Sequence, residues 1–300
     1  MTVEIKAYAK VNLHLEVLNK RNDGMHNIRS IMAAIDIFDL LKLKELSLSN
    51  NNSSVDIELE CKEGIFSEFF NTIPLEDNII SLAISEYFSY SQRNGRVILS
   101  IEKNIPSGAG LGGGSADAAA VLLLLNNELR LLNQDELFLI AERIGADVPY
   151  CLYANMHKKS ALCEGIGEIL TPFINRFQDH SLIIVNDGIH INTGEAYGAL
   201  NRTVNYENNQ HNYDILFNNE SANNMQKDIL YLNDFETVIF PIHKSLQNIK
   251  EQFYNRGAEF SLMTGSGSSI IGLYNNQYEA RKVFESINND YEQVYITSFI

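Results

Sequence analysis

The sequence predicts an α+β protein, because strand-like and helix-like stretches follow one another without a regular alternation. Three observations carry this. The N-terminal residues alternate apolar and polar side chains with a period of two. Residues 79–88 and 115–132 instead read as helices. No fixed-period repeat runs along the 300 residues, so a solenoid is excluded.

Taken in order, residues 4–17 read as a pair of strands or one bent strand. Residues 20–26 bring turn chemistry, with Asp23-Gly24 its strongest signal. Strands are expected at 31–38, with 39–43 following, and at 55–59. Asp77 or Asn78 is placed to cap a helix over 79–88, because either side-chain oxygen can accept from the free N–H groups of the first turn. Residues 96–103 form a strand leading to Ile105-Pro106 and a glycine-rich turn. The helix after it, about 115–132, is apolar on nearly every side in its first half, which marks it as buried. After residue 150 shorter strands and helices are expected. Residues 201–233 are rich in Asn and poor in periodicity apart from a helix-like run at 225–230, and read as a long loop or weakly structured insertion. A helix at 245–254, a glycine-rich stretch at 265–269, a strand, a helix near 279–287 and a last strand complete the chain.

Composition narrows the function. The formal net charge of −15 removes the basic footprint of a nucleic-acid binder. It does not exclude a local phosphate site, which backbone N–H groups and a few cations can make. Cys61, Cys151 and Cys163 are odd in number and form no Cys-x-x-Cys pair, a pattern that suits a reducing compartment and gives no zinc framework. The N-terminus has no apolar signal core, and the most apolar run, 118–125, is far short of the roughly 20 residues that span a bilayer. The expectation is a cytoplasmic protein with no membrane or nucleic-acid partner.

The feature that carries chemistry is Pro106-Ser107-Gly108-Ala109-Gly110-Leu111-Gly112-Gly113-Gly114-Ser115. Glycines let a backbone turn sharply and come close to a ligand. A helix starting just after them points free N–H groups and its positive dipole end at the same spot, which makes an anion site. A Walker loop would need Lys after its last glycines, and Gly113 is followed by Gly114. The dinucleotide pattern G-x-G-x-x-G is met literally by Gly108, Gly110 and Gly113. Its acidic partner fails, since Glu128 lies inside the predicted helix. Without a ligand, five glycines in a heptad would cost conformational entropy to no purpose.

Pro106 to Ala119 resembles the central signature of the GHMP kinase superfamily. Further segments extend the resemblance, in order, over nearly the whole chain. They are 9–13 with 23–26, 145–149 with 164–168, and 264–268 preceded by 233–236. The resemblance implies a GHMP kinase-like two-domain fold: an N-terminal ribosomal protein S5 domain 2-like lobe over 1–160, carrying the phosphate loop, and a C-terminal ferredoxin-like lobe over 161–300, with the active site between them. It implies ATP with Mg²⁺ and a small-molecule substrate, a cytidyl-diphosphate polyol, in a monomer or homodimer. Asp147 would be the general base and Lys10 its cationic neighbour. Residues 106–115, with Asn78 and Lys103 by the adenine, would hold ATP. His26 would recognise the cytosine, Tyr197 would stack on it, and Asn12 would help place the polyol. The family often carries Tyr before the histidine; Met25 stands here, and its polarizable sulfur can pack on a base. For the metal no ligand is assigned, with Ser115 and Asp117 as the nearby candidates. The same signature also occurs in kinases for homoserine or mevalonate, which remain the alternative, with a non-catalytic ligand sensor behind them.

Overall fold

The structure, a computed structural model, describes residues 3–49, 54–204 and 231–300. The helix-like run at 225–230 and most of the Asn-rich stretch lie outside those residues. The chain opens with strands β1 (Val3–Lys20), β2 (His26–Ser49) and β3 (Asp56–Glu63) and a single helical turn α1 (Ser67–Phe70). Helix α2 (Ile79–Tyr90), strand β4 (Asn94–Glu102) and helices α3 (Gly113–Leu129), α4 (Gln134–Ile144) and α5 (Val148–His157) follow. Strands β5 (Ser160–Glu164), β6 (Ile169–Phe173) and β7 (Ser181–Asn186) then lead to α6 (Thr193–Leu200). The remainder is α7 (Glu236–Ile239), α8 (Lys244–Asn255), β8 (Phe260–Met263), β9 (Ile270–Tyr274), α9 (Gln277–Ile287) and β10 (Gln293–Ser298).

Two compact units are present, and neither is one continuous stretch. The first comprises Met1–Lys10, Ile37–Ser107 and Gly112–Lys158; the second comprises Val11–Asp36, Gly108–Leu111 and Lys159–Ile300. Two earlier pieces, Val11–Asp36 and Gly108–Leu111, thus group with the later residues. For Val11–Asp36 the reason is strand length. β1 and β2 hold 18 and 24 residues, and each contributes residues to both units.

In the first unit β4 is the middle strand. It runs antiparallel to the second half of β2, from Leu40↔Glu102 to Ser49↔Asn94, and parallel to β3, with Asp56 opposite Arg96. Helix α3 packs against α2 and α5. Its residues Ala116 to Leu125 are all buried, as expected from an apolar run with no polar face. Its ends follow from backbone geometry: Gly112 precedes it with φ 68°, and Arg130 stops it in the left-handed region at φ 54°. The cap expected for α2 is Asn78, whose side chain accepts from the Ile80 N–H at 2.9 Å. The pattern of residues 134–144 was not read as a helix, although Asn133 and Glu136 form a reciprocal capping box there.

In the second unit Ser30, Ile31 and Met32 of β2 pair with Cys163, Leu162 and Ala161 of β5, which pairs in turn with β6. A separate antiparallel sheet has the order β10-β7-β9-β8. Leu246, Ile249 and Phe253 of α8 and Ala280, Val283 and Ile287 of α9 join Ile183, Val185 and Ile270 of that sheet in one core. The 20–26 turn forms as expected: Gly24 takes φ 90°, and the Asp23 carboxylate accepts from the Met25 N–H at 3.0 Å. Residues 4–17 are a single strand rather than a pair.

Candidate active site

In the first unit, Lys10 reaches inward from β1. Its Nζ lies 3.2 Å from Asp147 Oδ2, with side-chain exposures of 4% and 31%. Asp147 occupies the N-cap position of α5, where Pro149 is tolerated because its missing N–H would have been unpaired anyway. The Asp147 side chain makes no capping bond. Gly112 covers the Lys10 stem: a Cβ there would stand 2.9 Å from Lys10 Cγ, and φ 68° strains any other residue. One pair of charges is thus buried on its cationic side and open to water on its anionic side.

Asn78 and Lys103 are both buried. The Asn78 amide oxygen is used as the α2 cap. The Lys103 ammonium is gripped by Asp39 Oδ2 and, at 2.7 Å, by Asp117 Oδ2. Burial alone would lower the Lys103 pKa, but the Asp117 and Asp39 carboxylates outweigh it and raise it. A Cβ on Gly113 would stand 3.3 Å from that ammonium, so Lys103 lies against the first residue of α3. Asp39 was not singled out in the sequence, because a lone Asp in a β-strand carries no pattern.

In the second unit, Gly110 lies against the Thr264 carbonyl so closely that no Cβ would fit, and its φ is 75°. The backbone of Asn12 donates to Thr264 Oγ1 at 2.9 Å, and Asn12 Oδ1 accepts from the Gly265 N–H at 2.9 Å. Asn12 Nδ2 donates to Ser30 Oγ at 2.7 Å. Asn12 therefore ties β1 to the 264–268 glycine motif, and both ends of its amide are engaged. Asn233 holds the other side of that motif, donating to the Met263 and Gly265 carbonyls at 2.6 and 2.8 Å. His190 lies beside the glycine turn as well. Its Nδ1 would stand 3.2 Å from a Cβ on Gly108, and no local pattern announces it.

His26 and Tyr197 are brought together as a stacked pair, with ring centroids 5.0 Å apart and planes at 20°. Tyr197 is braced in turn by an edge contact with Phe235 at 4.9 Å. A base between the two rings would need two van der Waals gaps, about 7 Å. The 5.0 Å separation therefore leaves no room for a base between the two rings. Burial, and after it the Lys20 charge, lowers the His26 pKa from 6.5, which favours the neutral ring. Met25 beside it is 47% exposed. None of the three buried cysteines is in a disulfide, and burial pushes the Cys61 and Cys151 thiols up, away from reactivity.

Residues 78–155 match the family described as GHMP kinases N terminal domain, and residues 216–293 match GHMP kinases C terminal. A 4-diphosphocytidyl-2-C-methyl-D-erythritol kinase of Clostridium botulinum (strain Alaska E43 / Type E3) is 34% identical over 310 residues, covering 99% of this chain and 100% of its own length. One from Clostridium kluyveri is 35% identical over 297 residues, 98% of each chain. A crystal structure of 4-(cytidine 5'-diphospho)-2C-methyl-D-erythritol kinase superposes with TM-score 0.75 at 28% identity over 99% of both chains. A homoserine kinase from Cytophaga hutchinsonii shares the fold, with TM-score 0.67 at 17% identity over 99% of this chain and 95% of its own. The chain belongs to the GHMP kinases and, within them, to the 4-diphosphocytidyl-2-C-methyl-D-erythritol kinase family.

Proposed function

We propose that this enzyme transfers the γ-phosphoryl group of ATP to the 2-hydroxyl of 4-diphosphocytidyl-2-C-methyl-D-erythritol, in the supply of isoprenoid precursors, with Asp147 as general base. The observation that carries the reading is the Lys10–Asp147 pair, whose carboxylate is not spent on capping its helix and keeps an open side. The Asp147 carboxylate accepts the hydroxyl proton as the substrate oxygen attacks the γ-phosphorus and ADP leaves. Lys10 holds that carboxylate in place and adds positive charge where negative charge develops. The N–H groups at the start of α3 and the glycine turn take the phosphates. A neutral His26 offers one donor and one acceptor to a cytosine edge, and Tyr197 or Met25 offers a face.

Mg²⁺ enters with ATP as its complex. Among the described residues no group of three or more His, Cys, Asp and Glu side chains could hold a metal ion. When bound, Mg²⁺ neutralises phosphate charge during transfer. The 1–160 and 161–300 ranges are the functional division we assign, the first carrying the base and phosphate loop and the second the Tyr197 side of substrate recognition. The protein acts in the cytoplasm as a monomer or homodimer.

The decisive measurement is ADP release with 4-diphosphocytidyl-2-C-methyl-D-erythritol, homoserine and mevalonate in parallel. Turnover with the first alone is expected. No turnover with any removes the kinase reading, and a preference for homoserine removes the assigned substrate.

A further inference from the structure

Two carboxylates share one ammonium inside the first unit. Asp39, Lys103 and Asp117 are all buried. With every group ionised they would leave one uncompensated negative charge in the interior, which is costly. The two carboxylates are not equivalent. Asp39 Oδ2 accepts from the Lys103 ammonium, and Asp39 Oδ1 accepts from the backbone N–H groups of Asn104 and, at 2.8 Å, of Ile105. Asp117 Oδ2 accepts only from Lys103, and its buried Oδ1 finds no donor. Donors favour an ionised carboxylate, so the carboxyl with fewer of them is the one that keeps a proton. A protonated Asp117 also becomes a donor to Asp39.

We propose that Asp117 is a neutral carboxylic acid at neutral pH and acts as a positioning residue, holding Lys103 against the first turn of α3 without adding negative charge beneath the phosphates. The proposal rests on the kinase reading for its ATP consequence, though not for the proton itself. Burial, then the Asp39 charge, against the opposing pull of Lys103, pushes the Asp117 pKa up to about 8. The other titratable groups facing the triad are the Cys61 thiol on β3 and the Cys151 thiol on α5, both kept neutral by burial. Cys151 in turn feels the Lys10–Asp147 pair. Asp117 lies about one turn into α3, a position from which a new negative charge opposes a bound polyphosphate.

The sign of the pH effect follows. Between an unfolded carboxyl near 3.9 and a folded one near 8, the folded state binds the extra proton, so stability falls as pH rises through that interval. The Asp117→Asn amide mimics the neutral acid and has no proton to lose. Thermal unfolding of wild type and Asp117→Asn from pH 5 to 9, without ligands, is therefore expected to show the melting-temperature difference moving in favour of the variant as pH rises. A difference that is constant, or that moves the other way, overturns the protonated state. Steady-state kinetics then test the positioning role. The KM for ATP of wild type is expected to rise above about pH 8, that rise is lost in Asp117→Asn, and Asp39→Asn raises KM at pH 7 at least about tenfold more than Asp117→Asn does. Equal penalties, or a larger one for Asp117→Asn, overturn it. If Asp39→Asn does not fold, the wild-type and Asp117→Asn KM profiles decide. If wild type shows no turnover, the kinase reading fails while the unfolding series still decides on the proton.

Discussion

Asp147 stands where a helix normally receives a side-chain cap, yet its carboxylate turns to Lys10. A missing cap costs about 1 kcal/mol. Stability and activity should therefore separate at this residue. Asp147→Asn is expected to lower kcat by roughly 10²–10⁴-fold, with little change in melting temperature, because an amide can cap α5 in compensation. Near-normal turnover would remove the general-base role. At His26 the lowered pKa sets a pH window. The neutral ring persists to lower pH than in an ordinary histidine, so the acid-side rise in KM for the cytidyl substrate should set in at lower pH than an imidazole of ordinary pKa would give. His26→Phe keeps a stacking face but loses both ring nitrogens, and should raise that KM with less effect on kcat. Lys10 and Asp147 taken singly were two ordinary charged residues in the sequence; only their motifs singled them out. Asp39 and His190 were invisible for a physical reason: each acts across more than 60 residues of chain, as with Asp39 and Lys103, and distance in sequence leaves no local spacing to read.

Elements were legible where local chemistry dictates them. Asn78 caps α2 through its own side chain, and Asp23-Gly24 makes its turn through its own backbone. Their signals lie within three residues of their effects. Strand extent was less legible, because β2 continues past residue 38 by pairing with β4, whose sequence comes more than 40 residues later. Helix α4 was missed despite a complete signal. Asn133 Oδ1 accepts from the Glu136 N–H at 3.0 Å, and the Glu136 carboxylate accepts from the Asn133 N–H at 2.8 Å. Asn133→Ala should cost about 1 kcal/mol, lowering the melting temperature by about 2 °C. Glu136→Gln keeps an acceptor and should cost less; equal losses would show that the box is not what starts α4.

At the scale of the whole molecule, a net charge of −15 repels itself. Raising ionic strength from about 0.01 M to 0.15 M shortens the screening length from about 30 to 8 Å. The melting temperature should therefore rise over that range, and a fall would mean that favourable ion pairs outweigh the self-repulsion. Two compact units were expected from the sequence, but their interleaving was not, since nothing in β1 or β2 marks where one unit takes over from the other. Residues 161–300 produced alone lack Ser30, Ile31 and Met32, the partners of β5, and should show little cooperative unfolding by circular dichroism.

The pairing of β2 with β5 also sets a timetable. On the ribosome, Ser30 emerges about 130 residues before Cys163, the residue it faces. At about 5–20 residues per second, that strand edge waits roughly 7–26 s for its neighbour. During that interval an apolar edge is open to other nascent chains, so the yield of native enzyme should depend on translation speed and chaperone supply more than its final stability would suggest.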